Sequence, residues 1–191
     1  PSATDPDAPA FVVLSSILSS GKNSRFYKNI TDKGLTTSVY IWDSLFRDPG
    51  LFTVYANLSP DVDHKTVEKA IVDEYEKIKK DGVTEEEVKK AQAQLVASMK
   101  FSQDGSYAIA SGLNEAIASG DWTLYTTYGE RIKAVTKEDI RRVVNKYFLE
   151  DLSTVGYFIP LGSGEQGEKS ATSAKQLEKM KIKNLTTEEE V

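Results

Sequence analysis

The chain has 191 residues, a formal net charge of −5 and no cysteine. The acidic balance argues against a nucleic-acid partner or an anionic-membrane surface, because phosphate binding depends on clustered Lys and Arg. Without cysteine, disulfides, thiolate metal sites and a cysteine nucleophile are excluded. No apolar run approaches the roughly 18 residues that span a bilayer, and no signal-peptide pattern opens the chain. We therefore expect a soluble protein, and its compartment stays open among bacterial cytoplasm, periplasm and an organelle.

The chain begins with a segment, residues 1–7, whose Pro, Asp and Ala content predicts a linker leading into a helix. Apolar residues at helical spacing predict that helix over 8–20, and Gly21 is expected to end it. Because the first residue is Pro rather than Met, we expect a processed chain or a fragment of a longer one.

Residues 18–35, called the corner from here on, carry two helix stops around a helix start. Asn23 or Ser24 is expected to cap a short second helix by accepting a backbone N–H. A strand-like run follows directly. The sequence therefore predicts a tight joint between two helices and a strand that presents Arg25 and Tyr27.

Two strands are predicted next, over 37–45 and 51–58, and the sequence DPG between them is typical of a turn. Together they predict an antiparallel hairpin. The β-branched and aromatic content of 152–160 predicts one further strand near the end of the chain.

Five more helices are predicted from amphipathic spacing and from capping patterns. Thr84 and Glu87 form the T-x-x-E pattern of a capping box, and Thr136 is expected to cap the last helix. The order of elements predicts an α+β domain in which helices are layered on one face of an antiparallel sheet. The five helices are expected over 61–81, 84–103, 108–119, 124–134 and 136–148.

This domain is predicted to cover 8–161. Residues 162–191 are rich in Gly, Ser, Glu and Lys, which predicts a flexible polar tail or interdomain linker. A short helix in KQLEKMKIKNL, or contact of that stretch with a neighbour, is the alternative for this last part.

Local motifs of catalysis do not occur in the sequence, which has no G-x-G-x-x-G, no Walker A motif and no G-x-S-x-G. His64 is the one histidine, whereas a zinc site needs three or four ligands. Glu85, Glu86 and Glu87 fall in the first turn of a helix, where acidic side chains complement the positive end of the dipole. We therefore predict no catalytic residue and no metal ligand in this chain.

Arg25 and Tyr27 remain as candidate substrate-binding residues. In one interpretation they line a groove that holds a peptide backbone or carboxylate, which suits the forked donors of Arg. In the other, Arg25 makes a structural hydrogen bond to helix carbonyls or a carboxylate, and Tyr27 packs.

The corner sequence, LSSGKNSRFYKNITDKGL, resembles a signature of the insulinase and pitrilysin zinc metallopeptidases, in particular the mitochondrial processing peptidase group. That signature, L-x-x-G-x-x-SRLY-x-x-L-x-x-x-G-L-A, lies in their C-terminal domain. GVTEEEVKKAQAQL at 82–95 is similar to the family segment G-V-T-x-E-E-L-x-x-A-K. AVTKEDIRRVVNKYF, with the predicted strand after it, is similar to A-V-T-x-E-D-V-x-x-V-A-x-x-Y. Order and spacing agree over roughly 8–161.

The resemblance implies a metallohydrolase-like α+β domain of the processing peptidase type. Such enzymes pair related domains that close around an unfolded peptide, and their zinc is held in the N-terminal domain by H-x-x-E-H and a downstream Glu. This sequence has no H-x-x-E-H. The implied partners are a zinc-bearing N-terminal domain, the second half of the same enzyme or a partner subunit, and the peptide. Zinc is expected in the full-length enzyme and no cofactor in this chain.

One departure from the family pattern indicates which half of such an enzyme this domain resembles. In the half without zinc, the C-terminal domain supplies an Arg and a Tyr about seven residues apart that reach the substrate. Alignment on Gly34 and Leu35 places Ile30 and Thr37 there, and neither side chain performs that task. The resemblance therefore implies the C-terminal domain of the zinc-bearing half, or a degenerate structural member.

Three hypotheses follow. The first is a noncatalytic C-terminal domain that forms part of the chamber wall of a zinc metalloendopeptidase and is inactive alone. The second is a structural assembly subunit related to processing peptidases, and the third is a free-standing peptide-binding module. An H-x-x-E-H motif upstream in the reading frame would favour the first.

Overall fold

The computed structural model describes residues 1–43 and 45–159, and its helices and strands all lie in the first of two units, residues 1–153. A π-helical turn spans Tyr27–Thr31, and a single 3₁₀ turn spans Glu150–Leu152. The remaining elements are α1 (Ala8–Ser19), β1 (Thr36–Asp43), β2 (Phe52–Leu58), α2 (His64–Asp81), α3 (Glu85–Phe101), α4 (Ser106–Ala118), α5 (Leu124–Lys133) and α6 (Lys137–Tyr147).

The predicted hairpin is confirmed, because β1 and β2 pair antiparallel with Tyr40 opposite Tyr55 and Ile41 opposite Val54. Side chains alternate between the two faces of a strand. Ile41 and Val54 pack against the helices, whereas Tyr40, Trp42 and Tyr55 are exposed on the other face. The Tyr40 and Tyr55 rings stack with centroids 5.0 Å apart. The expected fold class, an α+β domain with helices on one face of the sheet, is therefore confirmed.

Helix α1 is the centre of the core. Its sequence, APAFVVLSSILS, has no charged residue, and a helix that is apolar on nearly every side is buried on nearly every side. It contacts β1, α3, α5 and α6. Val13, Leu14 and Leu18 are fully buried. The Phe11 ring packs against the Tyr147 ring with their centroids 5.1 Å apart. Four of the other elements are thereby held around one helix.

Two capping boxes set the starts of α3 and α6. Thr84 and Glu87 form the one that the T-x-x-E pattern predicts. Thr136 and Asp139 form the other, with Asp in place of the usual Glu. Helix α2 begins at His64, later than the predicted 61, because the Asp63 side chain caps it by accepting from the Thr66 N–H.

The prediction of a strand over 152–160 is wrong for the residues that the structure describes. Residues 150–152 form the 3₁₀ turn, and 153–159 adopt neither helix nor strand. The described sheet consists of β1 and β2. Strand propensity describes how well a side chain suits a pleated surface. A segment with high propensity still forms no strand unless a neighbouring strand accepts and donates its backbone hydrogen bonds. Pro160 and the predicted tail at 162–191 lie outside the described residues.

Gly112 allows α4 to lie close to α5. A Cβ at position 112 would come within 2.7 Å of Cε2 of Tyr125, whereas nothing lies within 4 Å of a Cβ at Gly129 in α5. Both substitutions to Ala gain helix propensity, so their difference isolates the clash. We expect Gly129→Ala to raise the free energy of unfolding by about 0.5–1 kcal/mol. Gly112→Ala should be about 1–2 kcal/mol less stable than Gly129→Ala in urea denaturation, and equal stabilities would contradict the close packing.

Candidate functional site

The corner is built on a buried serine. Ser24 is 4% exposed, and its Oγ accepts from the backbone N–H of Tyr27 at 3.4 Å. Ser24, rather than Asn23, is therefore the residue that caps the turn. Phe26, directly before the π-helical turn, and Ile30, within it, are completely buried. Arg25 and Tyr27 are half-buried at the surface.

Arg25 joins the corner to the start of α3. Its Nε donates to Oε1 of Glu87 at 2.7 Å, and its Nη2 donates to Oε2 at 2.9 Å. Nη2 also donates to the carbonyl oxygen of Gly82 at 3.3 Å. Two parallel N–H···O bonds are the strong, directional form of an Arg–carboxylate pair. Arg25 thus makes the carboxylate contact that the structural interpretation describes, and a substrate contact of Arg25 or Tyr27 stays a prediction.

Glu87 accepts two further bonds because it belongs to the capping box. The Thr84 backbone N–H donates to Oε2 at 2.8 Å and the Thr84 hydroxyl at 3.0 Å. Burial alone would raise the pKa of Glu87, but the hydrogen bonds from Arg25 and Thr84 outweigh it and lower the pKa from an ordinary value of 4.5 to about 2. The hydrogen bond to Glu87 raises the pKa of Arg25. Both groups are therefore charged at neutral pH.

A polar cleft of about 450 Å³ lies beside this pair. Glu74 in its wall is 2% exposed. Its Oε1 accepts from Asn29 Nδ2 at 3.0 Å and from Lys77 Nζ at 2.6 Å. Lys28 and Lys90 also line the cleft. Both acidic and basic groups line it, which suits hydrogen bonding to a polar chain.

The other residues considered in the sequence as catalytic or metal-binding candidates are His64, Glu85 and Glu86. His64 stands at the first position of α2. Glu85 and Glu86 are exposed at the start of α3, and Glu85 lies 3.7 Å from Lys89. Within 1–43 and 45–159, no three His, Asp or Glu side chains are grouped as a metal site requires. The described side chains thus do not fit a zinc ion, and we derive no zinc chemistry from them.

Ile30 and Thr37 occupy the positions where a substrate-binding Arg and Tyr would stand. Ile30 is completely buried. Thr37 is exposed on β1, and its hydroxyl donates to the carbonyl oxygen of Asn57 at 3.2 Å. Their environments are those of a core residue and a strand-surface residue.

A second charged cluster, which the sequence did not indicate, surrounds Asp7. Its Oδ1 accepts from Arg142 Nη1 at 2.6 Å, and its Oδ2 accepts from Lys146 Nζ and the Tyr147 hydroxyl, both at 2.9 Å. Burial would raise the pKa of Asp7, but these three donors lower it from 3.8 to about 2. The only local signal is the spacing of four between Arg142 and Lys146, which places both on one face of α6.

The chain is similar to proteins of one family. Residues 1–95 match the family model described as the peptidase M16 inactive domain. The chain therefore carries an inactive domain of the M16 peptidases. It is 32% identical over 142 residues to an uncharacterized zinc protease of Streptomyces coelicolor, covering 73% of this chain and 31% of that protein. It is 26% identical over 155 residues to the zinc protease PqqE of Helicobacter pylori, covering 81% and 35%.

Solved structures agree with this M16 assignment. The inactive peptidase domain of a protein from Bordetella parapertussis is 25% identical with a TM-score of 0.77, covering 85% of this chain and 87% of that one. A protease from Helicobacter pylori is 25% identical with a TM-score of 0.74, covering 78% and 37%. The resemblance inferred from the sequence is thus confirmed. The chain spans 31–35% of the length of the curated relatives that it matches.

Within the described part of the chain, no helix is both long enough and apolar enough to cross a membrane.

Proposed function

We propose that this M16 inactive domain is the noncatalytic C-terminal domain of a zinc metalloendopeptidase and forms part of the wall of its peptide-binding chamber. The observation that carries the proposal is the match of residues 1–95 to the inactive-domain model. The names of the zinc protease relatives support the reaction class. In this proposal the partners are a zinc-bearing N-terminal domain, the other half of the enzyme, and an unfolded peptide.

The polar cleft supports a wall that contacts peptide without reacting with it. Two of its three lining carboxylates, those of Glu74 and Glu87, are each held by a cationic donor and by an amide or hydroxyl donor. The donors around Glu87 lower its pKa to about 2, so this carboxylate is a poor proton acceptor near neutral pH. We propose that Arg25 acts through Glu87 by fixing the corner, while direct contact of Tyr27 with peptide stays a prediction. The domain bounds 8–161 stay a prediction as well.

The purified chain is expected to be inactive when incubated with an unfolded, fluorescently quenched peptide and zinc. The physical reason is that its described residues supply no ligand set for zinc and no activated water. The same assay on the protein encoded by the whole reading frame is expected to show turnover that a chelator abolishes. Chelator-sensitive turnover by the 191-residue chain alone would overturn the proposal.

A structural assembly subunit is the second candidate. Its fold is represented among the similar structures by a chain of complex III2 from Candida albicans, with a TM-score of 0.65 and 17% identity, and this likeness concerns the fold alone. A reading frame without H-x-x-E-H would favour that candidate over the peptidase. Such a frame, translated as a domain without any neighbour, would favour a free-standing peptide-binding module.

A further inference from the structure

The polar cleft beside the Arg25–Glu87 pair has an unusual lining. Clefts that bind small molecules are typically about 300–1,000 Å³ in volume and are lined mainly by apolar side chains. This cleft, at about 450 Å³, has a typical volume, but all ten residues that line it are polar or charged. A ligand in the cleft therefore meets charged and hydrogen-bonding groups, and it finds no apolar side chain to pack on.

Two cationic groups of the cleft are held in place by acids. The carboxylate of Glu74, which is 2% exposed, accepts from Lys77 Nζ, and the carboxylate of Glu87 accepts from Nε and Nη2 of Arg25. Each pair is electrically balanced. Within the described residues, Nη1 of Arg25 donates to no acceptor, and Lys77 Nζ uses one of its three N–H groups. Both fixed cations therefore keep donors for a ligand.

Lys28 and Lys90 are the other two cationic groups of the cleft. Lys28 lies in the π-helical turn and Lys90 in α3, and both are exposed. In the part of the chain that the structure describes, neither ammonium group makes a hydrogen bond or an ion pair. Glu86, exposed one turn before Lys90, is the third acid of the lining. Four cationic and three acidic residues thus line the cleft, which leaves one positive charge in excess.

We propose that the polar cleft binds a carboxylate group of the peptide, either an acidic side chain or the C-terminal carboxylate. This inference rests on the proposed function, because it takes an unfolded peptide as the ligand. One carboxylate balances the excess charge, and its two oxygens accept hydrogen bonds from the ammonium groups of Lys28 and Lys90. A basic peptide would instead add to the excess positive charge.

The first test measures the binding of short fluorescent peptides to the 191-residue chain, by fluorescence polarisation at low salt and without zinc. Three peptides of equal length differ only in their carboxylates. The first has internal glutamates and an amidated C-terminus, the second has glutamines and a free C-terminus, and the third has glutamines and an amidated C-terminus. We expect the first, the second or both to bind about fivefold more tightly than the third, and the stronger of the two identifies the source of the carboxylate. Equal binding of all three would overturn the proposal, as would displacement by inorganic phosphate without any preference among the peptides.

The second test compares two double variants that remove the same charge. Lys28→Ala with Lys90→Ala removes the two lysines of the cleft. Lys22→Ala with Lys89→Ala is the matched control, because these lysines are exposed in the corner and on α3 but do not line the cleft. Since all four side chains are exposed, both variants should keep the melting temperature. We expect about fivefold weaker carboxylate binding in the first and less than about twofold in the control. Equal losses would show that the overall charge of the chain attracts the peptide, and would overturn the site.

Failure of this site and failure of the proposed function give different results. Suppose that the protein encoded by the whole reading frame hydrolyses peptide, whereas the 191-residue chain shows no preference for carboxylates. The site is then refuted and the proposed function stands. Carboxylate binding that depends on Lys28 and Lys90, in a protein whose whole reading frame shows no turnover, would refute the peptidase and keep the site.

Discussion

Replacing Arg25 by alanine is expected to lower the free energy of unfolding by about 2–3 kcal/mol. Arg25 is 18% exposed and Glu87 is 30% exposed, so water replaces the lost bonds only in part. The substitution removes both bonds to Glu87 and the bond to the Gly82 carbonyl at once. Urea denaturation followed by circular dichroism measures the loss.

Two further variants separate geometry from charge in this pair. Arg25→Lys keeps the positive charge but has no planar fork, so about half of the loss should remain. Lys89→Ala is the matched control on α3, because Lys89 and Glu85 are 3.7 Å apart and 72% and 60% exposed. Its cost should stay below about 0.5 kcal/mol. If Arg25→Ala were as mild as this control, the bidentate pair would not hold the corner.

Replacing Asp7 by alanine is the second large effect that we expect, with a loss of about 2 kcal/mol. Asp7 is buried, whereas Arg142 and Lys146 are 50% and 56% exposed. The two cations can therefore regain water after the substitution, which keeps the loss below that of a fully buried pair. Asp73→Ala is the control, since the Lys69–Asp73 pair is exposed on α2 and should contribute almost nothing.

Both acids make stability depend on pH in the acidic range. The folded pKa of Asp7 and of Glu87 lies at about 2, below the ordinary values of 3.8 and 4.5. A lowered pKa contributes stability that is complete above the ordinary value and is lost as the pH falls toward 2. The melting temperature should therefore fall steadily from pH 5 to pH 2. Asp7→Asn and Glu87→Gln should each flatten this fall, and an unchanged slope in both would show that other groups control acid unfolding.

The sequence predicted those parts of the fold that depend on neighbours along the chain. The helices, the hairpin and the Thr84 capping box follow from periodicity, turn residues and spacing within a few positions. The prediction of a final strand is wrong because a strand needs a neighbouring strand to pair with, and local composition carries no information about that neighbour.

The candidate site shows the same division between local and distant contacts. Arg25 stands out by its motif, yet its partner Glu87 lies 62 residues away. The sequence around Glu87 indicates its place in the capping box and at the helix start, and it does not indicate the pairing with Arg25. The partners of Asp7 are 135 to 140 residues away. Single charged residues at such separations leave no pattern in one sequence, whereas the tertiary fold brings them within 3 Å.

The central position of α1 has a consequence for synthesis on the ribosome. This helix has no charged residue and contacts α6, which is translated more than a hundred residues later. At 5–20 residues per second, α1 therefore waits roughly ten seconds before the last of these helices exists. During that interval its apolar sides are available to other nascent chains.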